Sequence, residues 1–144
     1  MKHFTIEELC ESSTATLNGI DNTPDPDQRQ KLKDLVLNVL DPAREILGEP
    51  INVSSGFRSR TLNAKVGGKP TSQHTKGEAA DLQCNRLYRL HSILKELPHD
   101  QLILETKNIL RNGRVIGKTE WIHVSYREGN NRMQSFALHN GKLV

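Results

Sequence analysis

The longest regular pattern in the chain is a run of apolar residues spaced three and four apart between residues 27 and 48. This spacing puts apolar side chains on one face of a helix and leaves charged and amide side chains on the other. Pro24-Asp25-Pro26-Asp27 is typical of a helix start, and Gly48 is a natural helix end. Pro42 lies inside the run and is expected to kink the helix or split it. The predicted inward positions are Leu32, Leu35, Val36, Val39, Leu40, Ala43, Ile46 and Leu47.

The rest of the chain alternates short apolar runs with turn-forming residues. These runs predict strands over residues 50–56, 79–84, 100–105 and 121–126, and a last hairpin over residues 134–144. Further helices are predicted up to about residue 10, over residues 61–66 and over residues 86–97. Residues 12–27 are expected to form a surface loop, and residues 107–118 a connection that turns at Asn112-Gly113. The prediction is an α+β fold, with N-terminal helices packed on a mostly antiparallel sheet.

Length and composition fit one small globular domain over residues 1–144. Hydrophobic residues make up 35% of the 144 residues and charged residues 26%. The net charge is +3, and the basic residues look scattered along the sequence, so we expect a solvated surface and no nucleic-acid partner. Cys10 and Cys84 are far apart, which argues against a disulfide framework. No apolar run has the length of a membrane span or of a signal peptide, so we expect synthesis in the cytoplasm.

Two short segments carry the candidate chemistry. The first contains His74 and Asp81 on either side of Gly77, and the second contains Glu120 and His123. Two imidazoles and one carboxylate are the protein ligands that a catalytic zinc ion uses, with a fourth position left for water. We therefore predict that His74, Asp81 and His123 bind one Zn²⁺ ion, and that a nearby carboxylate acts as the general base.

The choice of that carboxylate is open at the level of sequence. Glu120 is three residues before His123, so in a regular strand the two side chains would lie on opposite faces. Glu120 can serve only if it lies at the strand's start or in a bulge. Glu105, at the end of an apolar strand, is the second candidate. Arg58 is a candidate for binding a substrate carboxylate or an oxyanion, and Ser72 for binding substrate or for capping a turn.

Four segments taken together resemble the M15 family of zinc peptidases. They are Ser55-Gly56-Phe57-Arg58-Ser59, Val66-Gly67-Gly68, Ser72-Gln73-His74-Thr75-Lys76-Gly77-Glu78-Ala79-Ala80-Asp81-Leu82 and Trp121-Ile122-His123-Val124-Ser125. The sequence is most similar to the D-Ala-D-Ala carboxypeptidase branch, which also includes phage and prophage peptidoglycan endopeptidases. The resemblance implies a small α+β fold like that of the hedgehog signalling domain.

The resemblance also implies roles for residues of this chain. His74, Asp81 and His123 would bind zinc, Glu120 would be the base, and Arg58 and Ser72 would contact substrate. The expected function is hydrolysis of an amide bond in the peptidoglycan stem peptide, by a monomer that reaches the cell wall after release. The alternative is a non-catalytic, zinc-stabilised module that binds the cell wall.

Overall fold

The structure is a computed structural model that describes all residues 1–144, and it confirms the predicted α+β class. The helices are α1 (Ile6–Leu9), α2 (Ser13–Leu17), α3 (Pro26–Leu35), α4 (Asp41–Leu47), α5 (Arg60–Lys65) and α6 (Leu87–Lys95). A π-helical turn over Val36–Leu40 joins α3 to α4, and a 3₁₀ turn spans Gln73–Lys76. The strands are β1 (Asn52–Ser55), β2 (Ala79–Gln83), β3 (Gln101–Arg111), β4 (Arg114–Ser125), β5 (Gln134–His139) and β6 (Lys142–Leu143).

All six strands belong to one sheet, in the order β1-β2-β4-β3-β5-β6. Every neighbouring pair is antiparallel except β3 and β5, which are parallel. The predicted mostly antiparallel sheet is therefore confirmed. None of the helices combines the length and the apolar character needed to traverse a bilayer.

The long N-terminal helix is continuous but not uniform. Asp25 caps it through a reciprocal pair of hydrogen bonds with Gln28, which satisfies backbone donors at the helix start. Pro42 has no backbone N–H and its ring would crowd the preceding turn, and the wider π-helical turn lies directly before it. The prediction that Ile46 faces inward is wrong, because this residue is 55% exposed at the edge of the helix face that buries Ala43 and Leu47.

The core lies between the helices and one face of the sheet. The sheet contributes Leu82, Leu102, Ile122 and Val124, all fully buried, in one apolar cluster with the long helix and α6. Burying a leucine or isoleucine side chain stabilises a protein by about 1.5–3 kcal/mol, so this face holds the sheet in place. The opposite face of the sheet is left free for polar side chains.

Two predicted loops are regular structure. Residues 12–27 contain α2, whose start is capped by the Ser12 hydroxyl accepting from the Ala15 N–H at 3.1 Å. Residues 107–118 are not a connection, because β3 and β4 run on through them as a continuous hairpin. The hairpin turns at Asn112 and Gly113, both with positive φ, as the sequence predicted.

Candidate metal centre

Three elements bring the predicted ligands together. His74 is on the 3₁₀ turn, Asp81 on β2 and His123 on β4. Asp81 and His123 are directly paired across the two strands, so their side chains project from the same face. Gly77 ends the 3₁₀ turn with φ of 78°, and a Cβ atom there would come within 2.6 Å of the Gln28 carbonyl oxygen. Glycine at this position therefore lets the chain turn from His74 into β2.

The ligand atoms of the three side chains lie within 4.8 Å of one another. The Oδ1 atom of Asp81 is 3.3 Å from His74 Nε2 and 3.0 Å from His123 Nδ1. Zinc–ligand bonds of about 2.0–2.1 Å at tetrahedral angles separate neighbouring ligand atoms by about 3.3 Å. These spacings are therefore those of a zinc ligand set.

The hydrogen bonding of His74 provides a second test of that fit. Its Nδ1 atom is 2.7 Å from the carbonyl oxygen of Gly56, so Nδ1 carries the hydrogen and donates it there. In the neutral ring, Nε2 then presents a lone pair towards the Asp81 carboxylate, so this contact is favourable only when Nε2 carries a proton or a cation lies between the two atoms. A carbonyl that fixes the tautomer of a ligating histidine is the usual second partner in zinc sites. The residues fit zinc on this observation as well.

The charge of Asp81 suits a ligand. Burial alone would raise the pKa of Asp81, but hydrogen bonds from His123 and His74 and the charges of both rings lower it well below its usual range. Asp81 is therefore ionised at neutral pH. The guanidinium of Arg58 adds a further positive charge, with Nη2 at 3.8 Å from Asp81 Oδ2.

Glu105 lies on the same face of the sheet as the ligands. It is paired with Trp121 across β3 and β4, and Trp121 is two residues from His123 on the same strand face. Burial and the Asp81 carboxylate raise the pKa of Glu105, while His123, Trp121 and His74 act in the opposite direction. Glu105, Trp121 and the three ligands line one cleft of about 550 Å³.

Glu120 lies on the opposite face of the sheet. It is paired with Thr106, and its carboxylate accepts hydrogen bonds from the Tyr88 hydroxyl at 2.8 Å and from the Thr106 hydroxyl at 3.1 Å. The irregular strand start that would turn it towards the ligands is absent, because β4 begins at Arg114 and is regular at Glu120. The structure thus corrects the predicted place of Glu120 beside the ligands, and of the two candidates only Glu105 reaches the cleft.

Arg58 is held rigidly at the cleft by neutral partners. Its Nε donates to the Ser55 hydroxyl and its Nη1 to the side-chain oxygen of Asn63, both at 3.1 Å. Asn63 is buried and also donates to the Lys69 carbonyl oxygen at 2.8 Å. A Cβ atom at Gly68 would lie 2.1 Å from the side-chain oxygen of Asn63, so only glycine lets the loop approach Arg58 and Asn63 this closely.

Ser72 caps the turn that carries His74. Its hydroxyl oxygen accepts a hydrogen bond from the His74 N–H at 3.2 Å, and the side chain also lines the cleft. The hydroxyl hydrogen is not used in that bond, because the oxygen is the acceptor. Ser72 can therefore cap the turn and still donate a hydrogen bond into the cleft.

Sequence reasoning missed several residues that shape the cleft. Asp100 is fully buried and accepts two side-chain hydrogen bonds from Arg132, at 2.7 and 2.9 Å, and one from Gln73 at 3.0 Å. Gln73 precedes His74, so this network ties the His74 turn to the start of β3. Asn63 holds Arg58 in place through a hydrogen bond from its guanidinium. No local pattern marks these residues, because Asp100 lies before the apolar run of β3 and not within it.

Comparisons with known proteins agree with the motifs. The sequence model of a family described as Peptidase M15 matches residues 2–125 of the chain. A zinc D-Ala-D-Ala carboxypeptidase from Streptomyces albus G is 50% identical over 44 residues, which are 30% of this chain and 17% of that protein. The matched segment therefore spans less than a fifth of that relative.

Proposed function

The chain belongs to the Peptidase M15 family, and from that premise we propose that it is a zinc-dependent peptidoglycan peptidase. It would hydrolyse an amide bond in the stem peptide, next to a D-amino acid. The observation that carries the proposal is the convergence of His74, Asp81 and His123, with the His74 tautomer fixed by Gly56. We propose that these three side chains bind one Zn²⁺ ion.

A zinc ion bound there supplies a Lewis acid, which makes water more acidic and polarises the scissile carbonyl. We assign the general base to Glu105, which lies on the ligand face of the sheet and lines the cleft. Its raised pKa suits a group that takes a proton from the attacking water and then delivers it to the leaving amine. Glu120, bound to Tyr88 on the opposite face, has no such role in this proposal.

Arg58 and Ser72 are proposed to contact the substrate. The guanidinium of Arg58 is fixed by Ser55 and Asn63 and keeps its positive charge, so it is preorganised to stabilise the developing oxyanion or to bind a substrate carboxylate. The free hydroxyl hydrogen of Ser72 can bind a backbone carbonyl of the stem peptide. A fixed donor stabilises the transition state without reorganising during the reaction, which is why the Asn63 contact matters.

Two activities satisfy this chemistry, removal of a terminal D-alanine and internal cleavage by an endolysin-type endopeptidase. The similar carboxypeptidase favours the first, although the match spans only 17% of that protein. We propose that the protein acts on the cell wall as a monomer after its release from the cell interior.

Digestion of purified muropeptides, followed by mass spectrometry of the products, tests the proposal. The zinc-loaded protein is expected to produce one new pair of fragments, and the mass lost identifies the bond. Chelation should abolish the products and added Zn²⁺ should restore them. Cell-wall binding with no product at any metal concentration would instead support the non-catalytic binding module.

A further inference from the structure

The hairpin formed by β3 and β4 extends beyond the rest of the sheet. β2 pairs with β4 only over Ile122–Ser125, and β5 pairs with β3 only as far as Thr106. We call residues 107–118 the hairpin arm. All residues from 109 to 118 are exposed, and a rise of about 3.3 Å per residue lets the arm project by roughly 13 Å over its last four residues per strand. The arm contains none of the residues assigned to the metal centre.

The net positive charge of the protein comes from this arm. It carries Lys107, Arg111, Arg114 and Lys118 and no acidic residue. These are four of the chain's 20 basic side chains, against none of its 17 acidic ones, so the rest of the chain has one more acid than base. The sequence interpretation of scattered basic residues is thus incomplete, because the hairpin brings four of them together on one projection.

Aliphatic side chains share the arm with these cations. The exposed fractions are 44% for Ile109, 63% for Leu110, 60% for Val115 and 60% for Ile116. Leu110 and Val115 are cross-strand neighbours near the tip, and a bulge at Ile116 lies beside them. Exposed strands are usually protected by charged residues, proline or bulges, so four large exposed aliphatic residues at one tip indicate a contact surface.

We propose that the hairpin arm binds the surface of an anionic phospholipid bilayer. Lysine and arginine side chains would contact the phosphate headgroups, while the aliphatic side chains enter the interface beneath them. A soluble polyanion matches the cations but gives the aliphatic side chains nothing to contact. A single-stranded nucleic acid is disfavoured further, because the arm has no aromatic residue on which a base can stack.

The arm and the cleft are parts of the same two strands. From the arm, β3 continues to Glu105 and β4 continues to Trp121 and His123. An arm held at a bilayer would therefore keep the cleft at a fixed distance from the membrane surface. The proposal does not depend on the proposed peptidase function, since no arm residue is part of the metal centre.

Co-sedimentation with lipid vesicles tests the arm. The zinc-loaded full chain is expected to bind vesicles of phosphatidylglycerol and phosphatidylethanolamine at least tenfold more tightly than vesicles of phosphatidylcholine. Two arm variants are compared with one control variant. The aliphatic variant is Ile109→Thr/Leu110→Thr/Val115→Thr/Ile116→Thr. The charge variant is Lys107→Gln/Arg111→Gln/Arg114→Gln/Lys118→Gln. The control variant removes four exposed cations outside the arm and is Lys33→Gln/Lys65→Gln/Arg89→Gln/Lys95→Gln.

Each arm variant should lose at least tenfold in affinity for the anionic vesicles, while the control stays within about twofold of the parent chain. Thermal unfolding and muropeptide cleavage should be unchanged in both arm variants, because the arm lies outside the core cluster. If the aliphatic variant unfolds, Leu110→Thr/Val115→Thr replaces it.

Three results would overturn the proposal. One is equal affinity for the two kinds of vesicle, or none for either. Another is an equal loss in the charge variant and in its control, which would show that total charge and not the arm determines binding. The third is a combination of findings: the charge variant loses vesicle binding, the aliphatic variant keeps it, and the parent chain binds duplex DNA or polyphosphate. That combination would identify a soluble polyanion as the partner of the arm.

Discussion

The strands β3 and β4 are built in opposite ways at their two ends. At one end they are flanked by β2 and β5, and they carry Glu105 and His123 into a network of buried and half-buried polar groups. At the other end no strand flanks them, and the hairpin arm exposes cations and aliphatic side chains. The residues of the metal centre thus lie where both strands are covered on their outer edges. Changes at the two ends should therefore have separable effects.

The largest effect is expected from removing the carboxylate shared by both histidines. Asp81→Ala should weaken zinc binding by more than about 100-fold, since even partners outside the ligand set contribute 10–100-fold. Competition with a chromophoric chelator measures this, and muropeptide cleavage should fall below detection. Vesicle binding by the same variant should be unchanged. Zinc affinity close to that of the parent chain would remove Asp81 from the ligand set.

The second largest effect is expected from removing the Asn63 side chain that holds Arg58 in place. Asn63→Ala removes two hydrogen bonds, one with the Arg58 guanidinium and one with the Lys69 carbonyl, which should lower the free energy of unfolding by about 1–3 kcal/mol. We expect kcat/KM to fall roughly tenfold while zinc stoichiometry is unchanged. Asn85→Ala, at an exposed position, is the control. Unaltered kinetics in Asn63→Ala would show that Arg58 needs no fixed position.

The ion pair between buried Asp100 and exposed Arg132, near the cleft, predicts a response to acid. Hydrogen bonds from Arg132 lower the pKa of Asp100 to about 2, against roughly 3.9 in an unfolded chain. A group with a lowered folded pKa stabilises the protein above its unfolded pKa, and this contribution is lost as the pH falls from about 4 towards 2.

Thermal unfolding measured between pH 5 and pH 2 checks this. Asp100→Asn should lower the unfolding midpoint by roughly 2–6 °C at pH 5 and should differ less from the parent chain at pH 2. A difference that stays constant across this range would show that ionisation of Asp100 does not contribute. The arm has no buried charged pair, so its charge variant should leave the acid response unchanged.

The smallest effect is expected in the arm. Gly113 has φ of 76°, so Gly113→Ala should lower the free energy of unfolding by about 1 kcal/mol. Gly117 has no positive φ, and a Cβ atom there would meet only the end of Ile109 at 4.0 Å, so Gly117→Ala is the matched control. Chemical denaturation should separate the two variants, and both should keep full muropeptide cleavage. Reduced cleavage in either would show that the two ends are coupled.

The sequence predicted those features that short segments encode. His74, Asp81 and Gly77 lie within one segment, and strand alternation alone puts Asp81 and His123 on the faces opposite their apolar neighbours Leu82 and Ile122. Arg132 could not be predicted as part of the cleft, because its contact with Asp100 joins segments far apart in the chain. Asn63 is close in sequence to Arg58 and Lys69, but no pattern marks it as their partner. The arm was missed for a different reason. Asn112-Gly113 indicated the turn, but how far two strands stay paired depends on backbone partners across the hairpin and not on a local pattern.

Glu105 and Glu120 show where local patterns are insufficient. The spacing of Glu120 and His123 favoured Glu120 only if β4 began there, and β4 begins six residues earlier. A regular strand then turns Glu120 towards Tyr88 and leaves Glu105, on the neighbouring strand, facing the cleft. The face of a residue in a strand is thus set by the strand's actual extent.

The most direct test of the account compares Glu105→Gln with Glu120→Gln, both loaded with zinc, in the muropeptide assay. We predict that Glu105→Gln keeps its zinc and loses about 10²–10⁴-fold in kcat, as expected for a general base. Glu120→Gln should stay within about threefold of the parent chain. A collapse of turnover in Glu120→Gln beside near-normal turnover in Glu105→Gln would contradict the assignment made from the geometry.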